Sequence, residues 1–236
     1  MIDKRRRFYA SQKKEPHRIR WILLWVFVFF IVYTSMTSLF FSFRVLENET
    51  MQPGLQKGDR YIFSSYHIHS LFPGSGIGNL LRRGNIVLVD KSQKTRQHFF
   101  FFALDGVIRF FTAQRFGLGE ENLFIKRVIG LPGDEITMIN FVIRIKKQGE
   151  QFSFTEFELW DRPYESKIPS IPALWDESLP FSGNMESIVL GDDECFVLSD
   201  DRSNTNDSRS WGPVPLSLVA GKALFRYWPF TRLGIP

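Results

Sequence analysis

The chain has 236 residues, 44% of them apolar and 16% aromatic, with 25 Phe; this is ample for a buried core and argues against a disordered chain. A single cysteine, Cys195, excludes an internal disulfide. The net charge of +5 is confined to one end: residues 1–20 hold eight basic residues against two acidic ones, a balance of +6 that leaves the other 216 residues at −1. Nucleic-acid binding by a basic folded surface thereby loses most of its support.

Residues 1–20 read as a cytoplasmic basic arm. Residues 21–43, WILLWVFVFFIVYTSMTSLFFSF, carry no charge over 23 positions. As a helix they would extend roughly 34 Å, enough for a hydrocarbon core of about 30 Å. No polar face exists for a soluble helix of that length. A secretory signal would have a shorter apolar region and a small-residue cleavage site; this segment leaves through Leu39-Phe40-Phe41, so an uncleaved transmembrane helix is expected. The basic arm precedes the span, which places the N-terminus in the cytoplasm and residues 44–236 outside.

The outer part reads as mainly β, an antiparallel domain behind one N-terminal transmembrane helix. Residues 43–46, 61–64, 86–90, 124–130, 135–147, 195–199 and 220–228 are β-branched, aromatic or alternating stretches between turn residues. Between the first two lies Thr50-Met51-Gln52-Pro53-Gly54. Thr50 is a hydroxyl at a strand end before a Pro/Gly turn, either an exposed nucleophile or a plain turn residue. The run 98–116, with Phe99 to Phe102 and Phe110-Phe111, packs in a core or touches the bilayer surface.

In the stretch 124–130 alternation puts Phe124, Lys126 and Val128 on one face and Ile125, Arg127 and Ile129 on the other. One cation therefore sits in an apolar setting. A lysine there loses its charge through desolvation and becomes a general base, which an arginine cannot do; the alternative is a lysine that snorkels to water. Leu131-Pro132-Gly133-Asp134 predicts a hairpin turn to the next strand. Residues 148–185, rich in Pro, Ser and acidic residues, read as an irregular insertion. The last polar stretch, Ser199-Asp200-Asp201-Arg202-Ser203-Asn204-Thr205-Asn206-Asp207-Ser208-Arg209-Ser210-Trp211-Gly212, fails the EF-hand spacing. Internal Asp–Arg pairing accounts for it better. No metal or cofactor is called for.

Taken in order, three motifs resemble those of the type I signal peptidases (leader peptidases), bacterial membrane-bound Ser–Lys peptidases that remove signal peptides. Thr50-Met51-Gln52-Pro53-Gly54-Leu55, then Gly58-Asp59, is similar to the family's Ser-Met-x-Pro-Thr-Leu and Gly-Asp. Lys126-Arg127-Val128-Ile129-Gly130-Leu131-Pro132-Gly133-Asp134 matches the family's Lys-Arg-Val-x-Gly-x-Pro-Gly-Asp throughout. The late stretch resembles Gly-Asp-Asn-Arg-x-Asn-Ser-x-Asp-Ser-Arg-x-Trp-Gly at Asp200, Arg202, Asn204, Asp207, Ser208, Arg209, Trp211 and Gly212. Gly84-Asn85-Ile86-Val87 resembles a fourth motif.

The resemblance implies a β peptidase domain over 44–236 with a smaller cap inserted at 135–190. It implies a signal peptidase at the bacterial inner (cytoplasmic) membrane, single-pass, with its catalytic domain on the periplasmic side. Its partners would be the lipid bilayer and secretory precursors with small residues before the cut, of Ala-x-Ala type, and no nucleic acid. Thr50 would be the nucleophile and Lys126 the base. Asn48 would help hold the oxyanion and Thr205 would orient the lysine. Asp200, Arg202, Asp207 and Arg209 would support the late loop. The family's nucleophile is Ser; Thr keeps the hydroxyl and adds a methyl that stiffens χ1. Two rival readings follow: a weak or inactive membrane-tethered paralogue that binds signal peptides or partner proteins, and a related processing protease with another substrate.

Overall fold

The computed structural model describes residues 16–39, 41–65, 81–91, 108, 122–160, 164–169 and 183–236. The chain forms two compact units, Met1–Ser38 and Leu39–Pro236.

In the first unit, α1 spans Pro16–Leu39, about 36 Å at the α-helical rise. Its side chains are described over 18–33, where Trp21, Ile22, Leu23, Trp25, Phe27 and Phe29 are all more than half exposed. Among the described residues no helix is long and apolar enough to cross a membrane.

The second unit is built of antiparallel strands: β1 Phe41–Val45, β2 Arg60–Ser65, β3 Ile86–Asp90, β4 Leu123–Gly130, β5 Glu135–Ile139, β6 Val142–Lys146, β7 Phe154–Thr155, β8 Met185–Val189, β9 Glu194–Leu198, β10 Val214–Pro215 and β11 Val219–Trp228. They make a seven-stranded sheet, in order β1-β2-β11-β3-β4-β9-β10, and a four-stranded sheet, β7-β6-β5-β8. Strand β4 is central to the larger sheet, between β3 and β9, and every residue from Ile125 to Gly130 is buried. Among the described residues three apolar clusters fill the unit. Leu46, Met51, Leu55, Tyr61, Phe63 and Ile125 belong to one, Val87, Val128, Val197 and Val214 to another, and Ile129, Ile136, Ile143, Phe196 and Leu198 to the third.

Two readings of the sequence need correction. The stretch 135–147 is two strands and not one, because Asn140 and Phe141 both take positive φ, 52° and 65°, and reverse the chain. Leu131–Asp134 turns but makes no hairpin: β4 and β5 lie in different sheets. The Asp134 carboxylate accepts the Leu131 N–H at 2.7 Å and fixes the turn. The outgoing chain then meets the returning one, with Gly133 N–H to Leu190 C=O at 3.1 Å and Leu190 N–H to Asp134 C=O at 2.8 Å. That exchange carries the backbone out of the larger sheet and back. The Phe-rich run 98–116 lies outside the described residues, apart from residue 108.

Candidate active site

The two cations of β4 are both buried, Lys126 at 1% and Arg127 at 7% exposure, and they resolve the cost of burial in opposite ways. Arg127 cannot shed its proton. It is neutralised by Asp200, with Nε to Oδ1 at 2.7 Å and NH2 to Oδ2 at 2.6 Å, the two-pronged geometry that makes such pairs strong. Lys126 makes no ion pair among the described residues. Its Nζ donates to Ser199 Oγ at 2.8 Å and stands 5.7 Å from the centre of the Trp211 ring. Burial lowers its pKa to about 8; nearby Asp207 and Asp200 favour the charged form and Arg209 opposes it. About a tenth of the amine is thus neutral at pH 7, several hundred times more than for an exposed lysine, and the fraction rises steeply toward pH 8, which is the direction a lysine general base requires.

Thr50 sits in the turn after β1. Buried Met51 and Leu55 pin that turn to the core, with Gln52 N–H to Glu49 C=O at 3.1 Å and Leu55 N–H to Met51 C=O at 2.9 Å. Between these anchors Thr50 remains partly exposed. Its hydroxyl donates to Asn48 Oδ1 at 2.9 Å, which leaves the Asn48 NH2 available as a donor. Among the described residues the backbone N–H of Thr50 has no acceptor. Two donors therefore lie beside one hydroxyl. No hydrogen bond joins Thr50 to Lys126; the Thr50 turn reaches the lysine's loop through Asp201 N–H, which donates to Thr50 C=O at 3.0 Å.

The late loop is held from several sides. Asp207 caps the short helix α2, Ser208–Trp211, by accepting from Arg209 N. Its Oδ2 also accepts the Ser199 N–H at 2.9 Å, and Arg209 grips both carboxylate oxygens at 2.9 and 2.8 Å. Burial resists the Asp207 charge, but the Arg209 guanidinium and two backbone N–H groups outweigh it and hold the carboxyl below the usual range. Arg209 further donates to the carbonyls of Arg202 and Asn204. Arg202 pairs with Glu156 at 2.5 Å and with the Tyr164 hydroxyl at 2.9 Å, the Arg202 and Glu156 side chains being fully buried. Of the Asp–Arg pairs, only Asp207–Arg209 lies within the loop; Asp200 and Arg202 reach outward to β4 and to the turn after β7.

Thr205 is placed differently from the expectation. Its backbone carbonyl accepts from Asp207 N at 2.8 Å and Ser210 Oγ at 2.7 Å, while the hydroxyl against Lys126 is that of Ser199. Sequence reasoning missed Ser199, although the register carries the signal. Arg127 pairs with Leu198, so in an antiparallel ladder the position opposite Lys126 is 199.

The chain matches the family described as "Signal peptidase, peptidase S26" over residues 18–228. It is 32% identical to "Signal peptidase I" of Bacillus caldolyticus over 178 residues, covering 74% of this chain and 84% of that one. It is 28% identical to "Signal peptidase I" of Leptolyngbya laminosa over 193 residues, 81% of this chain and 70% of the relative. A shorter similarity, 28% over 119 residues, covers 50% of this chain and 28% of "Thylakoidal processing peptidase 1, chloroplastic" of Arabidopsis thaliana.

Proposed function

The chain belongs to the signal peptidase family, peptidase S26, a serine-type endopeptidase that removes N-terminal signal peptides, and on that premise we propose that Thr50 is its nucleophile and Lys126 its general base. The observation that carries this is the burial of Lys126 without a counter-ion, one loop contact away from the Thr50 turn. In the mechanism, the Thr50 hydroxyl rotates from Asn48 toward neutral Lys126, gives up its proton and attacks the scissile carbonyl. The Thr50 N–H and the Asn48 amide receive the oxyanion. Lys126 passes the proton to the leaving amine, then activates water to release the acyl group. Asp200, Arg202, Asp207 and Arg209 hold the loop against which this happens.

The substrates are secretory precursors with small residues before the cut. The uncharged run 21–43 behind a basic arm is the ground, in the sequence alone, for proposing a single transmembrane anchor with residues 1–20 in the cytoplasm and the peptidase domain on the far side of the bacterial inner membrane. The four-stranded sheet within 135–190 acts as a cap beside the site.

The test is cleavage of a secretory precursor by the full chain in detergent. Wild type cleaves, and Thr50→Ala and Lys126→Ala do not. Thr50→Ser cleaves faster, since relief of a methyl clash of about 1–3 kcal/mol corresponds to roughly 5- to 150-fold in rate. Cleavage by Thr50→Ala at the wild-type rate would contradict the assignment.

A further inference from the structure

Ser199 stands where the family's late motif begins with glycine, a residue with no side chain. Here it is fully buried, directly across the β4–β9 ladder from Lys126 by the Arg127–Leu198 register. Opposed residues in such a ladder bring their Cβ atoms to about 5 Å, and the Ser199 hydroxyl completes the approach, 2.8 Å from Nζ. Its backbone is fixed as well, because its N–H is bound by Asp207 Oδ2, itself clamped by Arg209.

The groups that face Lys126 are few. Val87 is its partner on β3, and Trp211 lies at 5.7 Å. Asp207, Arg209 and Asp200 act on it through space from the late loop, and each is engaged elsewhere. Ser199 is therefore the single hydrogen-bond acceptor of the amine among the described residues. The hydroxyl at 205, which the resemblance would use for this purpose, makes no hydrogen bond among them.

We propose that Ser199 is the positioning residue of Lys126, having taken over from position 205 the task of aiming the amine. By accepting one N–H it fixes the rotation about the Cε–Nζ bond, so that the lone pair of the neutral amine points at the nucleophile. It also stabilises the ammonium formed after proton transfer. The proposal rests on Lys126 acting as the base.

The test is the pH dependence of kcat and KM for precursor cleavage by the full chain in detergent, for wild type, Ser199→Ala, Ser199→Thr, Thr205→Ala and Lys126→Ala. Ser199→Ala lowers kcat by roughly tenfold or more with little change in KM. It also moves the acidic limb of kcat/KM down by about one pH unit, because a buried ammonium that loses an acceptor gives up its proton more readily. Ser199→Thr restores the hydroxyl and both parameters, and Thr205→Ala leaves the acidic limb in place. If Ser199→Ala does not fold, Ser199→Gly carries the same expectation. A Ser199→Ala profile that superposes on wild type, or a limb that moves in Thr205→Ala instead, overturns the proposal while leaving Lys126 as the base. Wild-type cleavage by Lys126→Ala overturns both.

Discussion

The backbone N–H of Asp201 donates to the carbonyl of Thr50 at 3.0 Å, joining the Thr50 turn to the loop that starts at the lysine's partner, Ser199. A third segment lies alongside: Lys167 N–H bonds Asp200 C=O at 3.0 Å, Arg202 N–H bonds Lys167 C=O at 2.9 Å, and Pro53 bridges to Ser166. The Thr50 and Lys126 side chains are thus set relative to one another by backbone hydrogen bonds between three loops, with no direct bond between the side chains themselves.

The stability of that arrangement depends on Arg127 and Asp200. Asp200 packs under the Thr50 turn, where a methyl group on Gly54 would stand 3.5 Å from Asp200 Oδ2. Asp200→Ala leaves the Arg127 guanidinium buried and unpaired, and destabilisation of about 3–5 kcal/mol is expected. Replacing both partners by leucine should cost distinctly less than the two single changes added together. Denaturant unfolding of the full chain in detergent measures both; a loss under ~1 kcal/mol in Asp200→Ala would show that the pair does not fix the loop.

Lys126 should be costly to the fold at neutral pH. Its folded pKa of about 8 lies below its ordinary value of 10.5, so the unfolded chain binds more protons between those values and stability rises with pH across that window. Lys126→Met removes the burden. The variant should be more stable than wild type by roughly 1–3 kcal/mol at pH 6, allowing for the lost Ser199 bond. The gap should close as pH approaches 10.5. Unfolding midpoints of both proteins against pH check this, and a gap that stays constant with pH speaks against a desolvated lysine.

The two ends of the Asn48 amide can be separated by substitution. Its Oδ1 accepts the Thr50 hydroxyl, and its NH2 is free to meet an oxyanion. Asn48→Asp keeps the acceptor and deletes the donor. With the Asn48 amide receiving the oxyanion as proposed, kcat is expected to fall by about 10² in Asn48→Asp and in Asn48→Ala alike. If Asn48→Asp retains wild-type kcat, the residue only holds the hydroxyl.

Much of this architecture was legible because local chemistry and global fold agree. Residues 86–90 are the strand the sequence announces, and alternation along 124–130 correctly separates Lys126 from Arg127. It could not say that both would be buried, since the counter-ion of Arg127 is 73 residues away. The break at Asn140-Phe141 was hidden because Phe rarely adopts positive φ; burial of the Phe141 ring and its N–H bond to Gly183 C=O at 2.8 Å impose it. The turn at 131–134 has the composition of a hairpin, but which strands pair is decided by Leu190, far along the chain. In the linear sequence Ser199 differs from the family's motif only by a hydroxyl in place of glycine's hydrogen, one hydroxyl among several; the β4–β9 register is what sets it against Lys126.

The most direct test of a neutral Lys126 serving Thr50 is the pH profile of kcat/KM for precursor cleavage by the wild-type full chain. Activity is expected to rise with pH along a single acidic limb centred near 8, where Lys126 loses its proton. A limb in the carboxylate range near pH ~4, or a rate that does not depend on pH between these values, would contradict it.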